Sequence, residues 1–171
     1  ARVRGEANFF YYYLSDFVYL APTGAIREGL VVANYQQADS RYIGAEARLD
    51  LGVHPNLWLK LGLDSVDAQL RETKIPLPRI PPVRGRMGID ARLGGFSFRP
   101  ELVLSGAQDQ LYFNETRTAG YAVVNLNASY TIARQHTLHV FSAGLFNTAD
   151  RLYRNHISLI KEFAPEIGRG F

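Results

Sequence analysis

The sequence predicts an all-β fold, an antiparallel transmembrane β-barrel segment, from three observations. The first is an alternation of period two that recurs along the chain, the mark of strands with one apolar and one polar face. It is clearest where Val83, Gly85, Met87, Ile89, Ala91 and Leu93 fall on one side and Arg84, Arg86, Gly88, Asp90 and Arg92 on the other. The second is the character of the polar face. Full charges opposite an unbroken apolar stripe suit a wall with lipid outside and water inside. The third is the spacing of the connections, short after every second strand and longer after the others, as in barrels with tight turns on one rim and long loops on the other.

The first strand is read over residues 2–13, where Val3, Gly5, Ala7, Phe9 and Tyr11 oppose Arg4, Glu6, Asn8, Phe10 and Tyr12. The aromatic run over residues 9–13, with Phe17 and Tyr19, has two readings: a girdle at a membrane–water boundary, or a core cluster. A long polar connection is expected over residues 21–40. The second strand, residues 41–53, sets Ile43, Ala45, Ala47, Leu49 and Leu51 against Tyr42, Gly44, Glu46, Arg48 and Asp50. His54-Pro55-Asn56 is a turn, and the third strand follows over residues 57–70. Pro76, Pro78, Pro81 and Pro82 cannot donate to a ladder and mark a connection or edge before the fourth strand, residues 83–93. Gly94-Gly95 is a tight turn into a fifth strand over residues 96–107. A polar connection near residues 108–118 leads to a sixth strand, residues 119–132, and a short turn to a less regular seventh, residues 137–147. About seven or eight up-and-down strands result.

The whole chain narrows the function classes. With 171 residues, 47% hydrophobic and 20% charged, it is one domain's worth of protein or a piece of a larger one. No apolar run approaches the roughly 18 residues of a membrane helix, and a barrel conceals its membrane signal in alternation. A formal charge of +3 with interspersed signs leaves no nucleic-acid footprint. The absence of cysteine excludes disulfides and thiolate metal sites. No signal peptide opens the chain at Ala1, which begins in strand pattern and is expected to start inside a longer protein.

The least periodic stretches carry a resemblance. The run from Leu77 through Pro78, Arg79, Ile80, Pro81 and Pro82 to Arg84 resembles the LPRIPP-x-R stretch of TonB-dependent outer-membrane receptors. The tail holding His156, Ser158, Lys161, Ala164, Pro165, Gly168, Arg169 and Phe171 is similar to their H-x-S-x-x-K-x-x-A-P-x-x-G-R-x-F ending. Ala143-Gly144-Leu145-Phe146-Asn147 is similar to x-N-L-F-N, with Gly144 in place of the first Asn. Tyr42-Ile43-Gly44-Ala45-Glu46 matches x-x-G-x-E, and Ser15-Asp16-Phe17-Val18-Tyr19-Leu20 matches x-D-F-I-x-L. Tyr35-Gln36-Gln37-Ala38-Asp39, followed by Arg41, resembles the branch that contains zinc-uptake receptors. The resemblance implies a roughly 22-stranded barrel with a plugged lumen. Residues 1–171 would be its C-terminal portion, with the N-terminal plug and the closing strand outside the chain and Phe171 short of the native terminus. It also implies residence in the bacterial outer membrane and uptake of a metal, a metal chelate such as a siderophore or haem, or a similar scarce nutrient. The implied partners are lipid, the plug domain and the TonB complex. Two alternatives stand beside it: a complete small eight-stranded barrel with a structural or enzymatic role, and a soluble lipocalin-like ligand-binding barrel.

No catalytic residue and no cofactor site is read from the sequence. No Gly-rich loop opens a helix, and Ser142-Ala143-Gly144 lacks the flanks of a nucleophile elbow. The carboxylates Asp64 and Asp67, and Glu46 and Asp50, are read as partners for Arg48, Arg84, Arg86 and Arg92. Of the four histidines, His54, His136 and His139 sit at turns, and His136 and His139 face opposite sides of a strand. A metal reading therefore falls on His156 with the loop carboxylates Asp39 or Asp109, against a structural role for His156.

Overall fold

The computed structural model describes residues 2–171. Seven strands follow one another: β1 (Val3–Arg27), β2 (Leu30–His54), β3 (Leu57–Leu70), β4 (Arg84–Leu93), β5 (Phe96–Ser105), β6 (Tyr121–Ala133) and β7 (Leu138–Leu145). They form one antiparallel sheet in the order β1 to β7, each strand paired with its neighbours in sequence. β1 and β7 are the edges among the described residues, so the sheet is open, unlike the complete small eight-stranded barrel named above as an alternative.

The register turns the alternation of each strand into rows across the sheet. Gly5, Leu49, Leu61, Met87, Leu102 and Val124 stand side by side on the apolar face. One residue along, Arg4, Asp50, Lys60, Gly88, Glu101 and Asn125 form a row on the polar face. A slip of one residue in any pair would drive a charged row into the apolar face, so the pattern enforces its own register.

Aromatic side chains mark both ends of the apolar face. Phe9, Tyr11 and Tyr13 stand at the end of the long loops, and Phe96, Phe98, Tyr130 and Phe141 at the end of the short turns. About ten residues of β3 separate these levels; at ~3.3 Å per residue and a tilt of ~45° they cover about 23 Å, the height of a barrel's apolar band. Both readings of the aromatic run apply, to different residues. The register shifts between Leu14 and Phe17, with Asp16 at φ 53°. That bulge turns Phe17 and Tyr19 to the polar-face side, where they pair with Ala38 and Gln36, while Phe9, Tyr11 and Tyr13 before it stay on the apolar face.

The connections reproduce the asymmetry, with one correction. Turns at residues 55–56, 94–95 and 134–137 lie at one end; connections at residues 71–83 and 106–120 and the segment 146–171 lie at the other. The connection expected over residues 21–40 is instead a continuation of β1 and β2 as a long two-stranded ribbon. Its tip is Glu28-Gly29, both at positive φ (52° and 80°), a two-residue turn whose twist suits a hairpin. The polar residues Asn34, Gln36 and Gln37 mask the β-formers Val31, Val32 and Tyr35, so composition alone suggests a loop.

Replacing Leu61 by Arg on the apolar face is expected to cost about 2–4 kcal/mol, the range for a cation near the middle of a bilayer. Gly62→Ser, one residue away on the polar face, is expected to cost little, because an added Cβ there meets only the Cβ of Arg86 at 3.7 Å. Urea unfolding of the intact protein in lipid vesicles checks both.

Candidate functional site

The polar face is the first element of the site. Its charges are cross-linked along and between strands: Arg84 to Asp64 at 2.7 Å, Arg48 to Glu6 at 3.5 Å, and Asp90 to Arg92 at 2.8 Å and Arg99 at 3.6 Å. Asp90 is buried at 4% exposure, and the Arg92 guanidinium grips both its oxygens through Nε and Nη2. Asp67 turns to Arg41 at 3.0 Å, at the loop end of the apolar face, and not to an arginine of the polar face. Between these groups runs a groove of about 600 Å³ across β2 to β6.

The second element is a cap at the loop end. Tyr19, Ala21, Ala68, Leu70, Leu77 and Tyr112 form a buried apolar cluster, with Phe17, Tyr42 and Ile80 packed against it. The proline-rich run is thus neither edge nor free loop. It folds inward, anchored by the bridge from Gln69 to Pro76, and drives Leu77 to 1% exposure. The Tyr19 and Tyr112 rings meet edge-on at 5.8 Å, and both hydroxyls donate to Gln36 Oε1 at 3.0 and 3.4 Å.

Polar groups knit the long connections together around this cap. The Glu115 carboxylate accepts from the backbone N–H of Arg79 at 2.8 Å and of Tyr112 at 3.1 Å. The Lys161 ammonium donates to the Thr116 carbonyl at 2.9 Å and reaches His156 Nδ1 at 3.3 Å. Thr118 Oγ1 lies 2.9 Å from the same nitrogen. With an ammonium donating to Nδ1, the ring carries its proton on Nε2, which faces Glu115 Oε1 at 3.8 Å. Burial, and then the Lys161 charge, hold His156 below its ordinary value. Burial likewise lowers Lys161, while Glu115 and Glu162 act to raise it. One histidine, one lysine and one glutamate therefore clasp residues 71–83, 106–120 and 146–171 to each other.

The three residues of the metal reading are not brought together. His156 is buried in this clasp at 2% exposure. Asp39 pairs with Arg71 at 3.3 Å, and its carboxylate accepts from the Asp16 N–H at 3.1 Å. Asp109 pairs with Arg117. Each carboxylate is satisfied by its own arginine, and a buried ammonium beside His156 opposes a cation there. Among the described residues no group of three or more His, Asp or Glu could hold a metal ion. His54 Nδ1 accepts from the Asn56 N–H at 3.3 Å in its turn. Sequence reasoning missed Glu115, Lys161 and Tyr112; the spacing of His156 and Lys161 within one motif was the available signal for the clasp.

Comparison with known proteins agrees with this geometry. A family model described as TonB dependent receptor-like, beta-barrel matches residues 1–147. No curated protein matches the chain. Among solved structures it is similar to a copper transporter, OprC, with a TM-score of 0.86 and 22% identity over 99% of this chain and 28% of that one. It is similar to the FrpB iron transporter from Neisseria meningitidis, with a TM-score of 0.71 and 11% identity over 98% of this chain and 28% of that one. It is also similar to BauA, the ferric preacinetobactin receptor from Acinetobacter baumannii, with a TM-score of 0.69, 15% identity, and 98% and 26% coverage. The chain thus spans little more than a quarter of the length of these structures.

The lowered His156 value fixes a sign. The fold prefers the neutral ring, so this contribution is complete above the ordinary value near pH 6.5 and is lost as the pH falls through the depressed folded value. Amide exchange in residues 106–120 and 146–171 of the intact protein, corrected for intrinsic rates, is expected to quicken on acidification from about pH 7 towards 5. His156→Gln is expected to flatten that dependence. Lys161→Met, which leaves the Thr116 carbonyl without its donor, is expected to destabilise the clasp by about 1–3 kcal/mol at neutral pH, read as faster exchange in the same segments.

Proposed function

We propose, from the premise that this chain belongs to the TonB-dependent receptor β-barrel family, that it forms part of the wall of a receptor for energised uptake of a metal, a metal chelate or a similar scarce nutrient. The family places the chain in the bacterial outer membrane; in a barrel there, the apolar face turns to lipid and the polar face to the lumen. The observation that carries the reading is the pairing of two unlike faces in one register: an aromatic-bounded apolar band backed by a continuous field of charge. A structural scaffold needs the first face; a solute path or a lumen-filling domain needs the second.

Short turns put the periplasm at one end and long loops put the exterior at the other. The apolar cap and its clasp then lie at the external mouth, where a ligand arrives. The plug domain, the remaining strands and the TonB complex that supplies force are proposed to lie outside residues 1–171. The names of the similar structures, a copper transporter, an iron transporter and a ferric siderophore receptor, favour metals and their chelates as cargo class. The zinc-receptor branch is kept within that class on the run from Tyr35 to Asp39.

Deleting the gene for the full receptor is expected to impair growth under one metal limitation. The test compares deletion and parent strains under iron, copper and zinc starvation, with uptake of each radiolabelled metal measured. Loss confined to one metal names the cargo; unimpaired growth and uptake under all three overturns the metal reading.

A further inference from the structure

The apolar face carries full charge at one end only. Between Tyr13 and the short turns, the only Asp, Glu, Lys or Arg on this face among the described residues are Arg41 and Asp67, which stand in the rows of Tyr13 and Tyr11. Asp39 and Arg71 follow just beyond, where the Arg71 N–H donates to the Asp39 carbonyl at 2.9 Å. Ionised groups on a lipid-facing surface are costly in hydrocarbon and belong at headgroup depth, the level that aromatic belts mark. The same place holds a pocket of about 310 Å³, lined by Tyr13, Arg41, Arg71 and Lys74 with Asp39 and Glu72. In a closed barrel neither a plug nor the opposite wall lies outside this face, and β3 already has β2 and β4 at its flanks. The pocket therefore keeps these neighbours in any barrel built from this wall.

Its cations are differently engaged. Arg41 is spent: Asp67 takes Nη2 at 3.0 Å, and the Gln69 amide, in the orientation that satisfies its hydrogen bonds, accepts from Nη1 at 3.1 Å and Nε at 3.3 Å. Arg71 is aimed and not spent. Asp39 holds its Nη1 at 3.3 Å, its Cζ lies 4.8 Å from the centre of the Tyr13 ring, and its side chain stays 46% exposed. Lys74 has no ion-pair partner among the described residues. A tight turn presents it beside Arg71: the Leu70 N–H donates to the Ile75 carbonyl at 2.9 Å, the Lys74 N–H to the Leu70 carbonyl at 3.1 Å, and Lys74 takes φ 59°. The Tyr11 hydroxyl donates to the Tyr13 hydroxyl, which leaves the Tyr13 proton free to donate in turn. Two free cationic donors and a phenol converging at the top of an apolar wall match a phosphate tied to acyl chains.

We propose that this pocket is a lipid site, which seats a phosphate of a glycolipid head in the leaflet on the long-loop side. The phosphate takes Arg71, Lys74 and the Tyr13 hydroxyl, and the acyl chains run down the apolar face past Tyr11. Glu72 opposes the phosphate and limits its residence. That this leaflet is the outer one rests on the orientation proposed above; the site does not depend on the uptake reading.

The test titrates the intact receptor in detergent micelles with lipid A, a glucosamine lipid bearing two phosphates, and with the same lipid stripped of phosphate. Native mass spectrometry reads retention. Lipid A is expected to be retained and the stripped lipid not. Arg71→Gln or Lys74→Gln is expected to weaken retention about tenfold, the usual weight of one charge-assisted contact, Arg71→Lys to restore part of the loss, and Glu72→Gln to tighten it. Arg134→Gln, in a turn at the opposite end, is expected to change nothing. Equal retention of both lipids, retention unchanged in Arg71→Gln and Lys74→Gln, or an equal loss in Arg134→Gln overturns the proposal. Acylation of the Lys74 amine, read by mass spectrometry, needs no variant. Labelling that lipid A slows, and that inorganic phosphate at equal phosphate concentration does not, supports the lipid site. Equal slowing by inorganic phosphate makes it a general anion site and overturns the lipid assignment; no labelling without lipid means that protein covers the amine, and overturns the site. Growth and metal uptake of the deletion strain bear on the uptake reading alone.

Discussion

Every other feature of this chain depends on the pairing of backbone to backbone at one register. In hydrocarbon a free N–H or C=O costs several kcal/mol, so a spanning strand must give all its ladder bonds to neighbours. Once the ladder is complete, side chains have no choice of face. The charged row through Arg4, Asp50, Lys60 and Glu101 and the apolar row through Leu49, Leu61, Met87 and Leu102 are two consequences of one set of bonds. Gly44 shows how closely this constraint is obeyed. Its backbone runs under the Phe10 ring, and an added Cβ would fall 2.2 Å from Cζ, so the row closes only because this position has no side chain.

The long-loop end is organised differently. Beyond the level of Tyr13 and Arg41 the chain has water available, and compact packing takes over from the ladder. The bulge at Asp16 is the hinge between the two regimes, because a single extra residue moves Phe17 and Tyr19 from the outer face to the inner one. There they supply the apolar surface on which Leu77 and Tyr112 fold down. Buried polar groups then join the covering segments. Breaking such a cluster at one member strands its partners in a desolvated pocket, which is why Glu115, His156 and Lys161 act as a unit.

Much of the membrane-spanning part was legible in the sequence, because alternation is a local property. The third strand was read with the bounds it has, and the turns at Pro55-Asn56 and Gly94-Gly95 lie where their residues place them. The family was legible from the order of its motifs, and the match over residues 1–147 shows it. What was not legible is non-local or masked. The ribbon over residues 21–40 is built by partners with polar side chains, and nothing in either half alone declares the pairing. The inward fold of the proline-rich run depends on Tyr19 and Tyr112, far away in sequence. The clasp needs Lys161 to meet the Thr116 carbonyl across 45 positions of chain, and carboxylates such as Asp39 and Asp109 satisfy nearby arginines before any distant histidine.

The base of the β1–β2 ribbon joins this interlocked roof through Ala21 and Gln36, but its tip, with Ile26 and Leu30 71% and 62% exposed, stands clear of it. Its tip at Glu28-Gly29 turns in two residues with nothing within 4 Å of the space above Gly29. Residues 71–83, 106–120 and 146–171 share a common fastening, so none of them can be lengthened or exchanged alone. The ribbon tip has no such obligations. With the long loops outward as proposed above, it is the position on this surface where a foreign peptide could be spliced and shown to the outside of a cell, and where sequence drift between strains would meet the least resistance.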